Sequence, residues 1–136
     1  MIHNVFVDSD VIISSLISTN GAAHLLISHL NPQFYYSNIQ TKELKVVCER
    51  LKIPQKNLEK ILQHLSQINI HNDDDCYFDF VHDPNDSHIL AGAHQSSAKF
   101  LITYNQKDFR VEKIKLKFKI IVLTPALYLQ YLRSVV

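Results

Sequence analysis

The chain opens on an apolar run, Val5-Phe6-Val7, that stops at two carboxylates, Asp8 and Asp10, before apolar character returns from Val11 to Ile17. β-Branched and aromatic residues favour an extended backbone, so the run from Asn4 reads as a first strand delivering Asp8 to its C-terminal tip. Turn formers at Ser18-Thr19-Asn20-Gly21 break the pattern, which resumes over Ala22 to Leu30 as a short helix packing Leu25, Leu26, Ile27 and Leu30. Asn31-Pro32 ends it, because the residue before a proline is disfavoured in the α region. Phe34-Tyr35-Tyr36 reads as a second strand. Ser37 followed by Gln40 has the form of a capping box, which predicts a helix from about Asn38 to Leu51 with Ile39, Glu43, Val46, Val47 and Arg50 near one face.

Pro54 suits the first turn of a further helix, predicted to run to about Gln67 on Leu58, Ile61, Leu62 and Leu65, with a short strand at Ile68 to Ile70. His71 to Phe80, containing Asp73-Asp74-Asp75, reads as a solvated loop. Asp83-Pro84-Asn85-Asp86 then supplies an N-cap, a first-turn proline and a first-turn acid for a helix. Asp86, Ile89, Leu90 and Ala93 share one helical face, so the stripe that packs this helix on a sheet also turns Asp86 inward. Gly92 in the same helix costs about 1 kcal/mol against alanine and suits close packing. Lys99 to Thr103 is a strand, with Tyr104 to Phe109 as the loop at its C-terminal end. The alternation Lys113 to Ile120 has strand period with lysines on one face, which would protect a sheet edge from foreign pairing. Ile121-Val122-Leu123 is another strand, and Thr124-Pro125 starts a last helix with Leu127, Tyr128, Tyr131 and Leu132 inward. Strands alternating with helices predict an α/β fold, a single-domain parallel β-sheet with helices on both faces.

Composition adds bounds rather than identity. With 136 residues, 46% hydrophobic and 20% charged, the chain fits one domain over residues 1–136 with a sizeable core. Cys48 and Cys76 lie far apart, so neither a disulfide framework nor a zinc ribbon is signalled. No apolar run approaches the roughly eighteen residues that a membrane span needs, and the start lacks the form of a secretory signal, so a soluble, cytoplasmic protein is expected. The net charge of +1 is uninformative as a total, but its distribution is not. From Asn72 to Asp86 every charge is acidic, whereas Lys107, Arg110, Lys113 and the lysines up to Lys119 form a basic flank. An acidic pole beside a basic flank suits a cation site next to a phosphate track, in which Lys107, Arg110 and Lys113 hold backbone and Tyr104 stacks a base.

Asp8, Glu43, Asp86 and Asp108 can each reach the C-terminal edge of one parallel sheet, where open α/β sheets bind ligands. Carboxylates brought that close repel, and the usual remedy is a hard divalent cation with oxygen ligands. Without cysteine ligands or paired histidines, the set favours Mg²⁺ or Mn²⁺ over zinc. Taken alone, Asp8-Ser9-Asp10 leaves a nucleophile and a metal ligand equally open; the later acids favour the metal.

In order and spacing these pieces resemble the PIN-domain family, including VapC-type toxin ribonucleases. Val7-Asp8-Ser9-Asp10-Val11 matches the family's opening D-[ST]-[ND]-V, and Ser37 through Glu43-Leu44 its S-x(n)-E-L segment. Asp83-Pro84-Asn85-Asp86 matches D-P-x-D, Leu101 through Phe109 matches L-[IV]-T-x-[ND]-x-x-D-F, and Leu123-Thr124-Pro125 resembles the family's end. The resemblance implies a three-layer α/β/α fold and an Mg²⁺- or Mn²⁺-dependent endoribonuclease. Its catalytic acids would be Asp8, Glu43, Asp86 and Asp108, with Asp8, Asp86 and Asp108 as metal ligands and Ser9, Asp10 and Asn105 in support. Asp10 stands where the family often has Asn, and Asn105 where some members have Asp, which leaves the number of bound metals open. An antitoxin protein and a homodimer are implied by analogy.

Two rival readings remain. One is a catalytically silent PIN-like module that binds RNA or protein. The other is a phosphatase with Asp8 as nucleophile, Asp10 as acid/base and Thr103 as the following Ser/Thr, as in haloacid-dehalogenase-like enzymes, although no later lysine and acid pair completes that set.

Overall fold

The computed structural model describes residues 3–29, 33–71 and 75–135. Its elements are β1 (Asn4–Val7), α1 (Ser9–Ile17), α2 (Ala22–His29), β2 (Gln33–Ser37), α3 (Asn38–Arg50), α4 (Gln55–Leu62) and β3 (Ser66–Ile68). After 3-10 segments at Asp75–Phe80 and Pro84–Asp86 come α5 (Ser87–Gln95) and β4 (Phe100–Ile102). A further 3-10 turn at Gln106–Asp108 leads to α6 (Val111–Phe118), β5 (Ile121–Leu123) and α7 (Pro125–Ser134). Among the described residues, no single helix is long and apolar enough to cross a membrane.

All strand pairings are parallel and the sheet order is β3-β2-β1-β4-β5. The first strand therefore lies in the middle. From it the chain steps outward to β2 and β3, then returns to lay β4 and β5 on the other side. Connections leaving β1 and β4 diverge, and such a switch point opens a crevice at the C-terminal ends of the two strands. The main chain at that crevice is fixed by hydrogen bonds from Asp8 N to the Ile102 carbonyl and from Thr103 N to the Leu123 carbonyl, both 2.9 Å.

Because successive strand residues face opposite ways, each strand feeds two cores. Val5, Val7, Phe100 and Ile102 pack with Val11, Ile12, Leu26, Leu44, Leu58 and Tyr128 from α1, α2, α3, α4 and α7. Phe6, Leu101 and Val122 pack on the other face with Ile89, Leu90 and Ala93 of α5 and Ile114 of α6. The result is the expected three-layer α/β/α arrangement. Gly92 is what lets α5 lie against β1, since a Cβ built there would sit 2.3 Å from Phe6 Cζ.

Several elements depart from the sequence pattern. Lys113 to Ile120 is not a strand: residues to Phe118 form α6, with Ile114 buried and Val111 and Phe118 packed beside it, a helical spacing. The alternation arises because Leu116 is left 75% exposed, and Lys119, in the left-handed region at φ 61°, ends the helix before Ile120 re-enters the core. The outer strand on this side is instead β5. α4 stops at Leu62, short of Gln67, and β3 begins at Ser66 rather than Ile68. The buried face of α3 is Gln40, Leu44 and Cys48, so Val46 is 64% exposed rather than inward. Leu25 and Leu127 also lie outward. The segment ahead of Asp83 holds a 3-10 turn that buries Tyr77 and Phe80, whereas Asp73 and Asp74 fall outside the described residues.

Candidate active site

The strand tips bring the first acids together. Asp8 caps α1, its Oδ1 accepting from Ser9 N at 2.6 Å, while its Oδ2 accepts from the Thr103 hydroxyl at 2.9 Å across the β1–β4 crevice. Asp10, in the first turn of α1, receives Tyr104 N at 3.1 Å and Asn105 Nδ2 at 2.9 Å, both on its Oδ2. The Thr103 hydroxyl in turn accepts from Asn105 N at 3.0 Å. Asp8, Asp10, Thr103 and Asn105 thus form one network, and Thr103 is fully buried in it.

The capping box of α3 is present, and it reaches further than a cap. Gln40 Oε1 accepts from Ser37 N at 2.8 Å, while its Nε2 donates to the Val7 carbonyl at 2.9 Å and to Ser9 Oγ at 3.1 Å. This buried amide fixes the start of α3 against the tip of β1 and so sets where Glu43 stands relative to Asp8. Glu43 itself is on the outer border of α3, its side chain 46% exposed, with His88 Nε2 3.1 Å from its Oε1.

On the other side Asp83 does the local capping, accepting from Asn85 N at 3.0 Å, which leaves Asp86 without a capping bond. The Asp108 carbonyl accepts from His82 N at 3.0 Å, and a bridge pairs Val81 with Phe109, so the loop after β4 is tied to the segment that leads into Asp86.

The charges of these acids meet. Burial, then the Asp10 and Asp86 carboxylates, push the Asp8 carboxyl up to about 7 against the opposing hydrogen bonds from Thr103 and Ser9. Burial raises Asp10 as well, with Asp108 adding to it and hydrogen bonds from Tyr104 and Thr103 opposing. Asp86 is raised by burial and by Asp108, Asp83 and Glu43, with His88 opposing. Among the described residues no trio of His, Cys, Asp or Glu groups already converges to ligating range. The acids repel through a longer-ranged Coulomb interaction than a coordination bond spans. Asp10 Oδ1 is buried with no hydrogen-bond partner, and an all-carboxylate donor set with an unused buried oxygen fits a hard divalent cation.

The expected basic flank is partly assembled. Lys107, Arg110 and Lys113 line one open groove of about 730 Å³ beside Asp108, together with His82. Lys113 is already engaged, donating to the Asp79 carbonyl at 3.2 Å and lying 5.1 Å from the Phe80 ring. Tyr104 is exposed above the crevice, with Ser14 Oγ 3.4 Å from its hydroxyl. Sequence reasoning missed His88 and missed Gln40 beyond its capping role, and it weighed Thr103 only for a phosphatase. The signal for His88 was its place two residues after Asp86, directly before the apolar run Ile89-Leu90-Ala91.

The parallel α/β sheet gathers acids at its switch point, on the C-terminal edge of β1 and β4, which is where open sheets of this class bind ligands. A PIN-domain model matches residues 4–107, a span holding Asp8, Glu43 and Asp86, and the chain belongs to the PIN-domain family. No curated protein matches the chain. Its fold is similar to a toxin–antitoxin complex from Klebsiella pneumoniae, at 22% identity and TM-score 0.64, over 89% of this chain and 97% of that one. It is also similar to VapBC2 from Rickettsia felis bound to a DNA fragment from its promoter, at 18% identity and TM-score 0.62, over 88% and 96% of the two chains.

Proposed function

We propose that residues 1–136 form one PIN-like unit that acts as an Mg²⁺- or Mn²⁺-dependent endoribonuclease, the toxin of a toxin–antitoxin pair. The observation that carries this reading is Asp8: a carboxylate held by Thr103 at a sheet switch point, where burial first and then the neighbouring Asp10 and Asp86 push its pKa up to about 7. Asp8, Asp86 and Asp108 would hold the cation, with the unpaired Asp10 oxygen as a further donor or as an acceptor for a bound water. When bound, the cation lowers the pKa of a water and offsets charge developing on the phosphodiester in an in-line displacement. Glu43 would be the acid placed to orient the attacking water and accept its proton. The groove of Lys107 and Arg110 holds flanking phosphates, and Tyr104 offers a face for a base. The toxin–antitoxin complexes of similar fold support an antitoxin partner. A homodimer and a cytoplasmic setting, where RNA is the accessible substrate, complete the reading.

The test is cleavage of single-stranded RNA by the full chain with Mn²⁺, in excess EDTA, and by Asp8→Asn. Metal-dependent products that disappear in the other two arms are expected. Undiminished cleavage in EDTA or by the variant would overturn the reading, as would tight RNA binding with no product under any divalent cation.

A further inference from the structure

His88 stands at the second position of α5 and is 7% exposed. Its Nε2 lies 3.1 Å from Glu43 Oε1, and its Nδ1 is enclosed with no hydrogen-bond partner. Buried polar atoms are normally paired, and a histidine kept only for packing has no need of a half-exposed acid on another helix. Leu44 and Cys48 of α3 belong to the core on one face of the sheet, whereas Ile89 and Leu90 of α5 belong to the other. The His88–Glu43 contact therefore crosses the C-terminal edge between the two helical layers. With Nε2 protonated the ring donates to Glu43, and Nδ1 keeps only an unused lone pair. The contact engages Oε1, one of the two Glu43 carboxylate oxygens. A glutamate on an outer helix border otherwise has its full rotamer freedom, and losing that freedom to a single donor is how an orienting contact works.

We propose that His88 is a positioning residue that holds Glu43 toward Asp86 and the crevice, so that this carboxylate is in place when the cation and its water are bound. The inference rests on the nuclease reading and goes beyond it by making the start of α5, directly after Asp86, the source of the Glu43 setting.

The test uses the full chain as wild type, His88→Leu, His88→Gln, Glu43→Gln and the Leu/Gln double variant. In the metal-free protein, ¹⁵N NMR of the imidazole should show protonated Nε2 and bare Nδ1, with the Nε2–H signal displaced by Glu43→Gln. Mn²⁺ affinity, read by paramagnetic resonance, should fall roughly tenfold in His88→Leu. In that variant kcat should fall with KM little changed. His88→Gln, which keeps an N–H of similar reach, should recover most of both. In the Glu43→Gln background, His88→Leu should add nothing. Wild-type affinity and kcat in a folded His88→Leu, or an equal loss in both backgrounds, would overturn the proposal while leaving the nuclease reading intact. If His88→Leu does not fold, failure of His88→Gln to retain affinity above Glu43→Gln decides against it. Wild type that neither binds Mn²⁺ nor cleaves RNA would remove both.

Discussion

The two ends of the β1–β4 seam are built from the same strands and differ in how their polar groups are treated. At the N-terminal end, Asn4 Nδ2 donates to the Ser96 carbonyl at 2.8 Å, and His3 Nε2 bonds the Tyr128 hydroxyl at 3.0 Å. The His3 ring also packs 4.9 Å from Phe100. At the C-terminal end, Asp10 Oδ1 and His88 Nδ1 are buried without partners, and Asp8 is crowded by like charge. A helix N-terminus calls for one carboxylate, not for several that repel. The difference separates polar groups that serve the fold from those held against its preference, and the second kind marks a site.

The sharpest way to break this contrast is Asp8→Asn. It should reduce RNA cleavage by about 10³-fold or more, the scale of removing a main electrostatic element. In metal-free protein it should also raise the melting temperature by about 5 °C, because a repelling charge is gone. A lower melting temperature with cleavage retained would place Asp8 among the structural groups instead. The pH dependence follows from the same carboxyl. Its pKa in the fold, about 7, lies above the ordinary 3.8, so the folded chain keeps a proton that the unfolded chain has released. Stability from this group is complete below the ordinary value and is lost as pH rises through about 7. Metal-free melting should decline from pH 5 to pH 8, and Mn²⁺ at pH 8 should restore it. An unchanged slope in Asp8→Asn would show that another group is responsible.

Smaller effects sharpen the contrast from the structural side. Gly92→Ala drives a methyl into the buried Phe6 ring and should cost about 1–3 kcal/mol in urea unfolding. Because Asp86 is the residue directly before α5, some loss of cleavage should accompany it. Tyr128→Phe removes the hydroxyl bonded to His3 at the quiet end of the seam. It should cost about 1 kcal/mol and leave cleavage per folded molecule unchanged. A cleavage defect in Tyr128→Phe would erase the distinction between the two ends.

Much of this was legible from residue pattern, for reasons that also explain the failures. β1 and β4 are short, largely buried apolar runs followed by acids or turn residues, so the pattern alone sets Asp8 at one tip and Asp108 in the loop after the other. Asp86 was legible because its spacing to Ile89, Leu90 and Ala93 fixes a direction. α6 was not, because Lys-apolar alternation satisfies a strand and a helix alike until tertiary packing decides that Ile114 goes in and Leu116 stays out. Gln40 and His88 escaped for a different reason. Their roles lie in contacts with Val7 and Ser9 and with Glu43, across elements whose meeting is a property of sheet order.

The central place of β1 has one more consequence, which concerns timing. Synthesis produces β1 before either of its neighbours, and of these β4, at Phe100–Ile102, is made long after β2, at Gln33–Ser37. A nascent polypeptide that has emerged only through β3 carries Asp8 and Glu43 beside an open strand edge, without Thr103, Asp86 or Asp108. The acids gather only when β4 docks. Until β4 has docked, the cluster of acids is incomplete, and the same step closes the edge at which unfinished chains would stick to one another.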